Sequence, residues 1–298
     1  MKQINDLLKK YHLKPHRYIK SGKVFIIDTN NGKFVLKSKT NNDLVYRYLN
    51  SRAFSYYPKD TSEEDDDYSI FPYVEDYDIP KEQKMVDMID LVSLLHNKTT
   101  HYKEIDEEEY KKIYEDLMNN IAYLESYYSD IITIAESKIY MSPSEYLFAR
   151  NITKIFAALN FCQDNLQKWY EKVKNTQKKR LVVVHNNLSS EHFIRNDSSY
   201  LISWDHAKVD SPIFDLYKLY QKEGLEIEFS SLLKRYEKNY PLLEEERELL
   251  FILISMPSKV SFTGSEYQKC AEVTKMIDSL YKSEMIVSPY YTEEEKTE

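Results

Sequence analysis

The stretch VVVHNNLSSEHFIRNDSSYLISWDHAKVDSPIFD, residues 182–215, predicts a strand, a polar loop and a hairpin in succession. The apolar run that opens it is short and rich in branched side chains, as buried strands are. Two β-prone runs then flank the Asn-Asp pair at 196–197, and both residue types favour turns. The hairpin leads to the dipeptide Trp204-Asp205. This order decides the fold assignment, and the loop that begins at His185 holds the candidate chemistry.

The chain before this stretch predicts a small antiparallel sheet. Three β-rich runs follow Pro15, and the Asn-Asn-Gly sequence at 30–32 separates the last two, where Asn-Gly suits a tight type I′ hairpin. A helix at 3–12 precedes the strands, and a helix at 41–52 and a strand at 68–73 follow them. After its leading helix, this part of the chain therefore predicts the order β-β-β-α-β.

The rest of the chain is predicted to be mostly helical. Asp106 with Glu109, and Ser142 with Glu145, have the spacing of capping boxes, in which each side chain bonds the backbone amide of the other residue. The predicted helices begin at Pro80 and then lie near 107–126, 143–175, 212–222, 228–239, 243–255 and 265–283.

These patterns predict three regions. Residues 1–75 form a β-rich amino-terminal lobe, and residues 76–285 form a helical lobe that carries the loop and hairpin at 182–205. Residues 286–298 are assigned to an acidic tail that ends in TEEEKTE, and this charged ending is the reason that the tail is expected to be disordered.

The composition excludes several classes of protein. A net charge of −8 argues against the broad basic surface that nucleic acids require, so we expect no nucleic-acid partner. No apolar run approaches the roughly 20 residues that span a bilayer, and the amino-terminal sequence MKQINDLLKK lacks the apolar region of a signal peptide. Four scattered glycines cannot form a Walker or Gly-x-Gly-x-x-Gly phosphate loop. Cys162 and Cys270 are expected to be reduced core thiols in a cytoplasmic protein.

A small sheet with Lys37 on its third strand, a helical lobe, and a His-x-Asx-Leu loop before a hairpin ending in Trp-Asp together resemble a known family. They are similar to the aminoglycoside phosphotransferase and choline kinase branch of the protein-kinase-like fold. Within that branch the chain resembles the spore-coat kinase-like proteins of endospore-forming bacteria. The resemblance implies an α+β, bilobal fold, with a small antiparallel amino-terminal lobe and a larger, mostly helical carboxy-terminal lobe.

The family's loop reads His-Gly-Asp-Leu-His-x-x-Asn, and this chain departs from it where the chemistry is done. His185 matches the family's first His, and Asn186 stands on its Gly. Asn187 stands on the catalytic Asp. The metal-binding Asn of the family falls on His192, and the metal-binding Asp of its Ile-Asp-Trp strand falls on Ser203.

Other positions of the family's site are retained. Lys37 resembles the strand lysine that pairs with nucleotide phosphates, and Asp215 resembles the aspartate that braces the catalytic loop. Phe71 and Tyr73 fall where the resemblance implies contacts with the nucleotide, which in this family is ATP. Asp43 is a candidate helix partner for Lys37.

The three replacements change what the loop can do. Asn187 cannot take a proton, and losing a general base typically costs about 10² to 10⁴ in rate. Ser203 is neutral where a carboxylate would hold Mg²⁺, and His192 offers an imidazole nitrogen, which suits zinc or copper better than magnesium. Without Mg²⁺ the transferred phosphoryl group lacks its main source of charge neutralisation. We therefore expect no cofactor and leave ATP as the candidate nucleotide.

Alternatives remain at several of these residues. Asp205 lies two residues beyond Ser203 and is a second candidate for nucleotide or Mg²⁺ binding, with help from Glu191. His185 is expected to brace its loop by bonding backbone carbonyls. Lys37 could equally be an edge lysine that reaches into solvent. No His or Cys spacing typical of zinc sites occurs, so no metal ligand is assigned.

The sequence thus leads to a hypothesis with two competitors. The leading one is a pseudokinase that acts as a binding or scaffold module for protein partners, with a role in the cytoplasm or the spore coat that the resemblance implies. The second is an active ATP-dependent phosphotransferase that uses Asp205, acting on a small molecule or a protein. The third is a metal-independent nucleotide sensor.

Overall fold

A computed structural model of the chain describes residues 2–40, 42–63 and 65–294. It contains two compact units. The first runs up to Thr99 and includes His185–Lys208, and the second comprises Thr100–Val184 and the chain from Val209 onward. The loop and hairpin that follow His185 therefore belong to the same unit as the amino-terminal strands.

The helices and strands alternate in the order that the sequence predicts, with additional short elements. In chain order they are α1 Lys2–Lys10, β1 Pro15–Ser21, β2 Val24–Thr29, β3 Gly32–Ser38, α2 Asp43–Ser51, β4 Tyr68–Pro72, α3 Lys81–Thr99, β5 His101–Glu104, α4 Glu107–Glu136, α5 Pro143–Val173, β6 Lys178–Val184, β7 Phe193–Arg195, β8 Ser199–Leu201, β9 Lys208–Asp210, α6 Ile213–Glu223, α7 Phe229–Asn239, α8 Glu244–Ser255 and α9 Glu266–Glu294. Short 3-10 turns lie at Ser190–His192 and Trp204–His206.

The first unit is built on a four-stranded antiparallel sheet in the order β1-β2-β3-β4. The hairpin between β2 and β3 is confirmed, with Thr29 opposite Gly32. Its turn is not of type I′, which needs positive φ at both central residues. Among the described residues of the turn, Gly32 alone has positive φ, at 109°.

One face of this sheet holds the core of the first unit. Ile27, Leu36 and Ile70 are buried on this face, and Ile4 and Leu8 of α1 pack against them. The period of two along the strands and the helical spacing in α1 bring these side chains to one interface. The sheet is thus covered on one side, and the alternate residues of its strands point to the other side.

The hairpin of β7 and β8 packs on α3 within the same unit. Asp76, just before α3, accepts a hydrogen bond of 2.8 Å from the Arg195 amide, and the Tyr77 amide donates to the Arg195 carbonyl at 2.7 Å. The Tyr77 hydroxyl also donates to Asp197 in the turn, at 2.9 Å. These bonds fix the hairpin to the segment that leads into α3.

The second unit is mostly helical, with α4, α8 and α9 packed on the long helix α5. Ser142 and Glu145 form the predicted capping box at the start of α5. Asp106 caps α4 by accepting a bond from the Glu109 amide. A small sheet in the order β5-β6-β9 was not predicted, because β5 and β9 are short and polar and lack an apolar alternation.

Two helices extend beyond their predicted ends. α4 continues ten residues past 126, to Glu136, with Tyr128 and Ala135 buried along it. α9 continues to Glu294 through residues that we predicted to be disordered, because Ile286 and Val287 prolong its buried face. Residues 295–298 of the predicted tail lie outside the described part of the chain.

The structure bears on two further expectations. Among the described residues, no helix combines the length and the apolar character needed to cross a bilayer. Cys162 and Cys270 are both free thiols, as expected, but only Cys162 is buried, and Cys270 is partly exposed on α9. Burial raises the pKa of the Cys162 thiol to about 12.

Candidate active site

Lys37 and Asp205 form an ion pair within the first unit. Lys37 lies on β3, opposite Val24 in β2 and Ser69 in β4, so the sheet fixes where its side chain begins. Asp205 lies in the 3-10 turn that follows the β7–β8 hairpin. Both side chains are partly buried, with exposed fractions of 18% and 28%. Two opposite charges that share a partly buried position largely neutralise each other.

Trp204 anchors the turn that carries Asp205. Its ring is 2% exposed, and its indole Nε1 donates to the Leu201 carbonyl at 2.8 Å. The side chain of Asn42, just before α2, donates to the Trp204 carbonyl at 2.7 Å. The rings of Phe54 and Tyr57 meet the indole edge-on. Asp205 is therefore held by a fixed turn next to the start of α2.

His185 braces the loop that follows β6. Its side chain is fully buried, and its Nε2 lies 2.8 Å from the Ile202 carbonyl oxygen, to which it donates. Its ring also packs edge-on against Trp204, with centroids 4.8 Å apart. The contacts link the start of the loop to the strand that returns from the hairpin. The Nε2 nitrogen of His185 is therefore occupied by a backbone carbonyl, in agreement with the expected bracing role.

Asn186 has φ of 56°, in the left-handed region. The resembled family has Gly at this position, and Asn is among the few other residue types that adopt this conformation readily. The Asn186 side chain donates to the carbonyl of His206 at 3.2 Å. The loop thus keeps the backbone shape that a glycine would give it.

His192 turns its imidazole toward the backbone of the loop. Its Nδ1 lies 2.7 Å from the Asn187 carbonyl oxygen and 3.0 Å from the Ser189 hydroxyl. An Nδ1–H that donates to a carbonyl cannot at the same time offer a lone pair to a metal ion. Ser203, at the other predicted metal position, has φ of 65° and a neutral hydroxyl.

The donor set around the loop does not fit Mg²⁺. Asn187 and Ser203 are neutral, and the nearest predicted carboxylate, Asp205, is bound to Lys37. Glu191, the predicted helper of Asp205, is exposed in the 3-10 turn. Across the described residues, no three His, Cys, Asp or Glu side chains gather in a way that could hold a metal ion.

A half-buried apolar face surrounds Lys37 on the side of the sheet that α1 does not cover. Phe71 lies opposite Val35 in the strand register, and Val35 lies opposite Ile26, so these three side chains share the face of Lys37. All are partly exposed. The face therefore offers an apolar surface next to one lysine.

Tyr73, the other predicted nucleotide contact, follows β4. Its amide donates to the Lys33 carbonyl at 3.0 Å, and the Lys33 ammonium lies 5.6 Å from the centre of its ring. The ring is 37% exposed. The structure thus brings Lys37, Phe71 and Tyr73 to neighbouring positions on β3 and β4.

Two predicted residues lie elsewhere. Asp43 is exposed in the first turn of α2 and does not pair with Lys37, whose partner is Asp205. The physical cause is that the turn at Trp204 supplies the carboxylate that pairs with Lys37. Asp215 is fully buried at the start of α6 in the second unit, so its bracing of the loop stays a prediction.

The sequence did not indicate which residues support the Trp204 turn from behind. Asn42 and Tyr46 lie beside the Trp204 turn, where burial and then the charge of Asp205 raise the pKa of Tyr46. An isolated Asn before a helix and a Tyr within it carry no local signal of such contacts. Only the predicted order of strand, loop and hairpin could have pointed to the region they occupy.

No protein-family model and no curated protein matches the chain. Solved structures do share its fold. An aminoglycoside phosphotransferase from Alicyclobacillus acidocaldarius aligns with a TM-score of 0.72 at 9% identity, covering 98% of this chain and 96% of that one. The AMP-bound spectinomycin phosphotransferase APH(9)-Ia gives a TM-score of 0.55 at 14% identity, covering 98% and 94%. Choline kinase LicA from Streptococcus pneumoniae gives 0.51 at 12%, covering 97% and 98%. The chain therefore has the protein-kinase-like fold of these phosphotransferases.

Proposed function

We propose that this protein is a phosphotransferase-like binding or scaffold module whose catalytic power is severely impaired. The observation that carries the proposal is the Lys37–Asp205 ion pair. The pair occupies the lysine that would contact nucleotide phosphates. It also occupies the one carboxylate predicted to replace the missing metal ligands. The remaining candidate positions, Asn187, His192 and Ser203, supply no anionic oxygen.

The size of the defect follows from the chemistry of phosphoryl transfer. Asn187 in place of a general base costs about 10² to 10⁴ in rate. The loss of Mg²⁺ removes the charge neutralisation on which the transition state depends. The two losses affect the same step, so we expect turnover that is negligible beside that of an intact enzyme.

Nucleotide binding without turnover is part of this proposal. The apolar face of Val35 and Phe71 can receive a flat base, and Lys37 can receive a phosphate if it exchanges partners with Asp205. The spectinomycin phosphotransferase that shares the fold has been captured with AMP. ATP without Mg²⁺ is the ligand we propose for this face.

The biological setting is proposed from the sequence resemblance. Protein partners in the cytoplasm or in the spore coat suit a kinase-like chain that has lost its catalytic acids. In this proposal the folded surface binds the protein partners, and nucleotide binding at Lys37 regulates that binding.

A second candidate is an active phosphotransferase that uses Asp205 as a metal carboxylate. It is favoured by one observation, that a partly exposed carboxylate does lie beside the strand lysine. In this version an incoming Mg²⁺–ATP would separate the pair, with Lys37 moving to phosphate and Asp205 to the ion.

Transfer of labelled phosphate from ATP to a panel of small-molecule and protein acceptors separates the two candidates. The wild type is compared with Lys37→Ala and with Lys33→Ala, a matched control four residues away on the same face of β3. The first candidate expects no Mg²⁺-dependent transfer above that of Lys37→Ala. Transfer that survives in Lys33→Ala and disappears in Lys37→Ala would establish the second.

A further inference from the structure

β1 is an exposed edge of the amino-terminal sheet. Its seven residues pair with β2 on one side, and within the described part of the chain they form no backbone hydrogen bond on the other. Six of the seven are exposed, and only Tyr18 is partly buried, against the core beneath α1. A free strand edge presents amide and carbonyl groups that can pair with another extended segment.

The charge of this edge is opposite to that of the whole protein. No acidic residue occurs between Asp6 and Asp28, although the chain carries a net charge of −8. The same interval contains six Lys or Arg residues and two His residues, all exposed, namely Lys9, Lys10, Lys14, Arg17, Lys20, Lys23, His12 and His16.

Most of these cations form no ion pair with an acidic side chain of the described residues. Lys10 pairs with Glu63 and Asp66, and Arg17 lies opposite Asp28 in the strand register. Among the described residues, Lys20 on the strand and Lys14 just before it form no ion pair. Uncompensated like charges on one strand repel each other and attract an acidic ligand.

The free strand edge and its positive charge together indicate which kind of ligand β1 can bind. A second copy of β1 would bring its own lysines against these, which opposes self-pairing. A membrane surface would use the charge but would leave the edge amides unpaired. An acidic segment in extended conformation satisfies both the charges and the backbone groups.

We propose that β1 binds an extended, acidic segment of a partner protein, which adds to the sheet as a fifth strand. The side chains on the two faces of β1 specify the sequence of the partner segment. Ile19, 39% exposed, lies on the same face as Arg17 and offers an apolar contact, while Lys20 points to the opposite face. The segment therefore alternates acidic and apolar residues over about the length of β1.

The binding test uses a fluorescein-labelled, seven-residue peptide of alternating glutamate and valine, followed by fluorescence anisotropy. We expect it to bind the full chain at low ionic strength and to weaken as salt is added. A control peptide of the same sequence with every backbone amide N-methylated keeps the charge and the side chains but has no N–H to pair with β1, and it should not bind. Equal binding of the two peptides, or none of either, overturns the proposal.

Two double variants test the location. Lys14→Glu with Lys20→Glu should weaken peptide binding at least about tenfold, since two favourable charge contacts become repulsive. Lys103→Glu with Lys168→Glu changes the net charge by the same amount on exposed positions of the second unit and should leave binding unchanged. Equal losses in both would mean that only net charge matters and would refute the site.

Hydrogen exchange tests the mode of binding on the unmodified chain. The bound peptide should slow exchange of alternate amides within 15–21, those that face away from β2. Binding to vesicles that contain phosphatidylserine, without binding of the peptide or protection of these amides, would assign the basic edge to a membrane surface and overturn the proposal.

Discussion

Lys37 and Asp205 neutralise each other across 168 residues of sequence. The lysine belongs to the first sheet and the aspartate to the turn after the hairpin, so the pair fastens the candidate loop to β3. Under the proposed function, a nucleotide phosphate and Asp205 compete for the one ammonium group of Lys37. Because of this competition, the direction in which metal ions and mutations change ATP binding can be predicted.

Asp205→Asn should strengthen ATP binding measured in EDTA, because Lys37 loses its competing partner. We expect a gain of about tenfold, which corresponds to roughly 1.4 kcal/mol. Isothermal calorimetry on the wild type, on Asp205→Asn and on Asp43→Asn measures the effect. Asp43 is an exposed acid of α2 that does not pair with Lys37, so its variant controls for net charge. Weaker Mg²⁺–ATP binding in Asp205→Asn would instead favour Asp205 as a metal ligand.

Under the proposed function, placing the residues of the resembled family at 187, 192 and 203 should give activity only when the base and the metal ligands are introduced together. Asn187→Asp alone should show no turnover. Combined with His192→Asn and Ser203→Asp, it should show Mg²⁺-dependent ATP turnover at least about 10² above the wild type. Coupled ADP release measures both variants. A single substitution that already gives this turnover would show that the metal site was never lost.

His185→Ala should destabilise the first unit. The change leaves the Ile202 carbonyl without its donor and opens a cavity beside Trp204. We expect a loss of about 2–4 kcal/mol in the free energy of unfolding. Urea denaturation measures it, with His206→Ala as the exposed control. A loss as small as that of the control would contradict the bracing role.

Glu266→Gln should lower the stability of the second unit in a pH-dependent way. Glu266 accepts a 2.6 Å hydrogen bond from the Ser144 amide, and its bonds to Ser144 lower its pKa from 4.5 to about 2. A carboxylate with a depressed pKa stabilises the fold above its unfolded pKa, and that contribution is lost as pH falls through its folded pKa.

The variant should therefore melt below the wild type at neutral pH, and the difference should shrink between about pH 4.5 and pH 2. Thermal denaturation followed by circular dichroism measures it. Glu125→Gln, on an exposed face of α4, is the control and should follow the wild type throughout. If the difference in melting temperature between the variant and the wild type does not change with pH, the loss of stability comes from the glutamine side chain itself and not from the missing charge of Glu266.

The sequence predicted the elements whose information is local. The capping box at Ser142 and the turn at 196–197 are set by neighbouring residues, and both lie where their residue types indicate. The strand carrying Lys37 was found for the same reason, since its hairpin and alternation are visible in a few residues.

The sequence could not predict what depends on distant contacts. No local pattern relates Lys37 to Asp205, and Asp43 was the better guess by chain proximity alone. The length of α9 also depended on packing, because Pro289 argues against a helix while the burial of Ile286 and Val287 sustains one.

Ser203 has a left-handed backbone, at φ of 65°, although its residue type enters that region at a cost of about 1–2 kcal/mol. Aspartate and asparagine tolerate the same conformation better. The main chain at this corner therefore has a shape that an acidic or amide residue would adopt with less strain than serine. Replacing Ser203 with aspartate would therefore relieve backbone strain and require no remodelling of the main chain.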